Sequence, residues 1–266
     1  MIRTITHWFR VLWTEAVLSY HGRFAITSPF GYFAGKLGFP LFLMLFFIYM
    51  GKFVGFADPA FIMIGNMLLI PASSGMGGVT LAVSDERGWG TLSYILGSPA
   101  PRVPVFLGRA VFYILDGFAT SLLGLFITAA IFKLNLASVN FLLLGCCSLL
   151  IAITSCGLGF LFGSISLVSR DGWVILNTFL AFLYILAGVN IPVTSLPVFL
   201  QKISYGIPMT RGIMAARLVM NGGAWDAIGR LVGGEALVGG IYILAGYVLF
   251  RIIEKRSFVS GTLDAV

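Results

Sequence analysis

The residue types that carry chemistry are few in this chain and do not cluster. The two histidines, His7 and His21, both precede the first long apolar run, and no H-E-x-x-H or C-x-x-C pair is present to hold a catalytic metal. Cys146, Cys147 and Cys156 share one apolar run, where they read as small helix residues and imply no disulfide framework. A phosphate-cradling loop needs Ser or Thr after its Gly-Lys, whereas Gly35-Lys36 is followed by Leu37 and Gly51-Lys52 by Phe53. What remains is Asp116 and Glu235, two carboxylates inside apolar runs. A charge there faces protein or water, which makes both candidates for a pathway, a gate or a proton relay. A structural reading stands beside that one. Arg109 lies two turns from Asp116 on the same helix face, enough for a polar patch, and Glu235 can reach the outer interface near Arg230.

The elements that must hold these residues are apolar throughout. The chain has 266 residues, 59% hydrophobic and 10% charged, with a mean hydropathy of +1.00. Soluble domains carry about 25% charged residues, so a bilayer is the expected solvent. Apolar runs cover residues 26–50, 60–84, 103–132, 139–168, 173–190 and 231–250. At about 20 residues per crossing these make six spans, leaving little chain for a soluble catalytic domain. The 17 Lys and Arg against 10 Asp and Glu give a net charge of +7, yet the cations sit mainly between the runs, an orientation signal that does not point to nucleic acid. Arg3, Arg10, Arg23, Arg87, Arg102, Arg109, Arg170, Arg251, Lys255 and Arg256 share one side, against Lys52 and Lys133 in short loops of the other, so both termini are expected in the cytoplasm.

Residues 4–24 place Ile5, Trp8, Phe9, Leu12, Ala16 and Tyr20 at helical spacing, which predicts an interfacial amphipathic helix. No small-residue cleavage site follows, so no cleaved signal peptide is expected. The spacing of Gly31 with Gly35, Gly159 with Gly163 and Gly229 with Gly233 suits close helix packing, and Pro40 and Pro71 are expected to kink their spans. No internal repeat is visible, which disfavours an inverted-repeat secondary transporter. The expected fold is an all-α integral membrane protein, a single transmembrane domain over residues 1–266.

Two connections are long enough to be informative. The first runs Ser84-Asp85-Glu86-Arg87-Gly88-Trp89-Gly90-Thr91-Leu92-Ser93-Tyr94-Ile95-Leu96-Gly97-Ser98-Pro99. It reads as a short amphipathic helix over 85–97, with an acidic first turn favoured by the helix dipole and a stop at Gly97 and Pro99. Such a helix is either a docking element or a seal across the cytoplasmic end of the bundle. The second, residues 191–228, carries Pro192, Leu196, Pro197, Leu200, Ile203, Pro208, Thr210 and Arg217 and is half apolar.

The run E-R-x-x-G-T-L followed by S-P, set between the second and third spans, resembles the coupling-helix segment of type-2 ATP-binding-cassette export permeases, with the drug- and antibiotic-export branch as the nearest likeness. The proline-punctuated outer connection resembles the two short re-entrant helices that precede their last span. Ser93 departs from the acidic residue often found after the G-T-L. The resemblance covers essentially the whole chain. It implies a transport subunit with no catalytic residues and no cofactor of its own, in the cytoplasmic membrane of a prokaryote. A second permease copy, as homodimer or heterodimer, and ATPase subunits that bind ATP and Mg are the implied partners. Asp85, Glu86, Arg87, Gly88, Thr91, Leu92, Tyr94 and Ile95 are the expected docking surface, and Pro192, Leu196, Pro197, Pro208 and Arg217 the outer re-entrant motif. The spans hold few polar side chains, which favours a hydrophobic or amphiphilic cargo over a lipid-linked glycan, polysaccharide or lipid. A proton-coupled secondary transporter using Asp116 or Glu235 is the competing class.

Overall fold

The computed structural model describes residues 2–26, 28–55, 58–98, 102–133, 139–167 and 171–260. Among these residues the backbone forms helices joined by turns, with no strand. Helix α1 (Ile2–Ile26) contains the expected amphipathic segment. It packs on α6 (Arg102–Phe132), where Ala16 is buried and the Tyr20 ring meets Phe112 edge-on at 5.9 Å. Trp8, Phe9, Trp13 and Leu18 stay exposed, as suits a helix with one face on protein and one on lipid.

The first apolar run folds as α2 (Pro29–Phe33), a π-helical turn (Ala34–Gly38) and α3 (Phe39–Phe53). Pro40 sits just past the π turn. A proline ring removes one N–H and crowds the carbonyl four residues back, here that of Lys36, and the wider turn makes room for it. Helix α4 (Pro59–Gly88) starts at Asp58, whose Oδ1 accepts from the N–H groups of Ala60 at 3.0 Å and Phe61 at 3.2 Å. It keeps Pro71 inside its length. A turn leads to α5 (Leu92–Gly97) and then to α6. Helix α7 (Phe141–Ser166) is capped by Asn140, and α8 (Gly172–Leu186) follows. The outer connection forms a 3-10 turn (Val193–Ser195), α9 (Val198–Gly206) and α10 (Thr210–Met220), and α11 (Trp225–Ser260) completes the bundle.

Among the described residues five helical segments are long and apolar enough to cross a membrane, and α8 is a shorter apolar helix. At 1.5 Å per residue α8 measures about 22 Å against a hydrocarbon thickness of about 30 Å. The chain beyond it, through Gly188 and Asn190, carries the rest of that passage as a turn held by side chains.

Helix α4 is the centre of the bundle, packed against α6 on one side and α7 on the other, while the far side of α7 carries α11. The contacts are close because the residues are small. A Cβ on Gly75 would stand 2.1 Å from the carbonyl oxygen of Ala152, and one on Gly157 would stand 2.6 Å from the backbone N of Ile243. Of the expected glycine pairs, Gly159 and Gly163 do face α4, with Met76 and Val79 as neighbours. Gly35, Gly229 and Gly233 meet nothing within 4 Å, so the seam of the last span is instead Gly239 and Gly246, set against Thr154 and Phe160. Spacing alone marks helix faces, not which face is covered.

Two alanine substitutions separate these cases. Gly75→Ala forces a methyl group onto a backbone carbonyl that cannot rotate away and should lower the thermal midpoint of the purified protein by several degrees. Gly229→Ala, exposed with open space around it, should leave the midpoint unchanged or raise it, since alanine is favoured over glycine in a helix by about 1 kcal/mol.

Candidate functional site

The segment between the second and third spans is built differently from the expected single helix. Asp85, Glu86 and Arg87 belong to the last turn of α4, and the chain turns at Trp89 and Gly90, with Gly90 at φ +73°, before α5 begins. An acidic residue at a helix C-terminus opposes the helix dipole and needs a cation, and Arg109 of α6 supplies it. The Arg109 Nη1 lies 2.5 Å from Glu86 Oε1, and its Nε lies 3.3 Å from Glu15 Oε2 on α1. Thr91 donates its hydroxyl to Glu86 Oε2 and to the Glu86 carbonyl, and Arg87 donates to the carbonyl of Leu167 at the end of α7. Glu86 is buried, so this network ties α1, α4, α6 and the turn into α5 within the chain itself.

What the junction presents outward is therefore Asp85, Gly88, Trp89 and Tyr94, with Trp89 68% and Tyr94 79% exposed. Thr91 and Ile95 are half-buried, and Ile95 packs inward on the cluster of Val83, Phe106, Leu167 and Phe250. The Leu92 side chain, Pro99 and Arg170 lie outside the described residues. Trp89 stood in the sequence motif but carries no consensus letter; a large aromatic between two glycines at a turn is the signal that marks it.

Asp116 does not share a patch with Arg109. It forms a salt bridge with Lys36, the residue at the centre of the π turn, while Arg109 points to the two glutamates. Lys36 also stands 5.7 Å from the Tyr32 ring. A lysine ten residues into an apolar run calls for a counter-charge, and Asp116 is the one acidic residue of the 103–132 run. The pair ties the first span to the third about 10 Å deeper than Arg109, seven residues further along α6 at helical rise.

At the other end of the bundle, Glu235 does not reach Arg230, whose Nε bonds the Asp226 carbonyl instead. Glu235 is fully buried and accepts from three donors: the Thr154 hydroxyl at 2.8 Å, the Met209 N–H at 2.5 Å and the Gly212 N–H at 3.1 Å. The last two are orphan donors at the start of α10. Pro208 and Met209, at φ 87°, turn the chain into that helix, and no side chain within it caps the first turn. A carboxylate from the last span does so instead.

Arg217 fastens the other end of α10. Its guanidinium donates to the carbonyls of Gly188 at 2.7 Å and Val189 at 2.8 Å past the end of α8, and to that of Phe61 at 3.1 Å, over whose ring it stacks at 3.4 Å. Burial pushes it down to about 9, with Asp58 pulling it back up, so it keeps its charge at neutral pH. Pro192 lines an outer cavity with Arg217, Leu196 accepts from Gln201 at 2.8 Å, and Pro197 precedes α9. Among the described residues no three His, Cys, Asp or Glu side chains converge on a metal position.

Replacing Glu86 by alanine leaves Arg109 with Glu15 alone and Thr91 with only the backbone carbonyl of residue 86, so the turn into α5 should loosen. Chymotrypsin cuts after aromatic residues, and its cleavage at Trp89 and Tyr94 should accelerate about tenfold, the equivalent of losing roughly 1.4 kcal/mol of local protection. Leu237→Ala, which changes an exposed side chain of α11 away from this turn, should not alter that rate.

No curated protein matches the chain. The family model described as ABC-2 type transporter matches residues 23–221, from the end of α1 through α10. A match over that much of the chain, on a helical bundle with multiple apolar helices, shows that this protein belongs to the ABC-2 type transporter family and is a multi-pass membrane permease.

Proposed function

We propose that this permease is the membrane subunit of an ATP-driven exporter, that separate ATPase subunits grip it at α5, and that its cargo is a hydrophobic or amphiphilic small molecule. The observation that carries the reading is the construction of the α4–α5 junction. A two-turn helix directly after a span transmits force only if the turn does not flex, and Glu86, Arg109 and Thr91 brace that turn. The same bracing leaves Trp89 and Tyr94 outside, where an ATPase groove can take an aromatic anchor. Family membership supports an ATPase partner, and a chain without a phosphate-binding loop needs one.

In this reading both termini and α5 lie on the cytoplasmic side of a prokaryotic inner membrane, and α9 and α10 lie outside. Two permease copies form the pathway between them. The apolar cargo follows from the spans: their described ionisable side chains are consumed by internal ties, Lys36 with Asp116 and Glu235 with α10, which leaves mainly apolar walls.

The test is purification from the native membrane followed by mass spectrometry. An ATPase subunit in roughly equal amount is the expected result, and its reproducible absence, where other membrane complexes survive, sinks the reading. Trp89→Ala with Tyr94→Ala should then weaken ATPase binding by about tenfold or more while leaving insertion intact, the loss expected for two interface aromatics. ATPase binding unchanged in that double variant would remove α5 as the docking helix.

A further inference from the structure

Helix α11 is a single run of 36 residues without a proline, about 54 Å long at helical rise. Among its described residues the buried ones form one stripe, Ile228, Glu235, Gly239, Gly246, Phe250 and Glu254. Toward its outer end that stripe holds α10 through the Glu235 carboxylate. About 22 Å further along, Phe250 sits edge-on against Phe106 at 5.5 Å and Phe160 at 6.3 Å, in the cluster on which Ile95 of α5 and Ile253 also pack. One helix therefore shares a packed cluster with α5 at one end and holds α10 at the other. Between the two contacts, Gly239 and Gly246 press on Thr154 and Phe160, so α7 backs the rod where its own glycines would let it bend.

A second route joins the same two ends. Helix α4 runs directly into the turn before α5, and its Phe61 carbonyl accepts from Arg217 of α10. That route is the weaker one. Pro71 interrupts the hydrogen-bond ladder of α4, and two of the three carbonyls that Arg217 holds belong to the end of α8. Glu235, by contrast, takes two of the N–H groups that start α10, plus a hydroxyl from α7, and is out of contact with solvent.

We infer that α11 is the rod that makes α10 follow α5, with Glu235 the positioning residue at its outer end and Phe250 the seat at its inner end. The inference rests on the proposed docking of an ATPase at α5. A pull on α5 shifts the Phe250 cluster, α11 moves along α7, and the carboxylate carries the start of α10 with it. The outer end of the pathway then opens in step with the nucleotide state of the ATPase.

The experiment uses the full chain with its ATPase in lipid nanodiscs, in a background of Cys146→Ala, Cys147→Ala and Cys156→Ala. Ala216→Cys on the buried face of α10 is the reporter, labelled with a membrane-impermeant maleimide with and without ATP and vanadate; Ala152→Cys in the core of α7 is the folding control. The parent should show a change of about tenfold in labelling rate between the two states, a usual size for coupling between two sites. Glu235→Gln replaces an acceptor by a donor facing an N–H, and should reduce that change to less than about twofold while ATP hydrolysis, ATPase binding and protection of Ala152→Cys persist. Phe250→Leu should do the same from the other end. Where Glu235→Gln exposes Ala152→Cys, Thr154→Val, which removes one of the three donors, decides on the same ratio.

A parental ratio in Glu235→Gln overturns the inference, as does a ratio abolished by Arg217→Lys alone, which assigns the link to α4. A parent that binds ATPase but labels identically in both states also overturns it while the docking assignment stands. Failure of the ATPase to bind the parent removes the docking assignment itself.

Discussion

A charge buried in an apolar medium must find its partner within the protein, and at three places in this bundle that search ends on a different element. Arg109 of α6 collects glutamates from α1 and α4; Lys36 of the first span meets Asp116 of the third; Glu235 of the last span collects the start of α10. Apolar packing between helices in lipid has little directional preference, because a lipid tail is as good a neighbour as a leucine. The ion pairs and charge-to-backbone bonds carry the direction that packing lacks. They fix the depth of one helix against another and the angle at which the short helices leave the bundle. Removing one partner is costly because the remaining charge has no water to turn to.

The spans were legible because a bilayer demands long apolar runs, and the runs predicted at 60–84, 103–132 and 139–168 fall on α4, α6 and α7. The ends were less so. Asp85 and Glu86 follow an apolar run and look like the start of a new helix, but Glu86 closes the old one, and its partner lies 23 residues on. Nothing local announces that pairing. The role of Glu235 was hidden for a related reason, since its partners are backbone N–H groups, which carry no letter in a sequence. The one local letter misleads: Thr210 looks like a cap, but it is the first helical residue and Met209 holds the cap position, so the first turn is satisfied from elsewhere. Lys36 was readable by arithmetic, as one cation in the first run against one carboxylate in the third.

The same reasoning separates the two ends of α10. Glu235 binds groups that carry no net charge, yet the helix N-terminus presents about half a positive charge, so the carboxylate and the helix form a nearly neutral unit. Arg217 likewise uses only carbonyls, two of them just past the C-terminus of α8, where the helix end is negative, and the third that of Phe61 in the first turn of α4. The short helix α10 is thus held by two charges of opposite sign, neither of them paired with the other.

That arrangement has a mechanical consequence. An ion pair between two side chains can slide, because both partners have rotatable stems and the attraction falls gently with distance. A carboxylate on two backbone N–H groups of one helical turn is more constrained: the donors are rigid, they point along the helix axis, and a shift of about 1 Å breaks the geometry that a hydrogen bond needs. Helix α10 can therefore rotate with α11 or separate from it, but it cannot drift along it. In a permease the outer closure must be tight in one state and open in another, with little time spent between. A bond that is either made or lost suits that demand better than a flexible salt bridge, and the placement of Glu235 without a side-chain cation beside it meets that requirement.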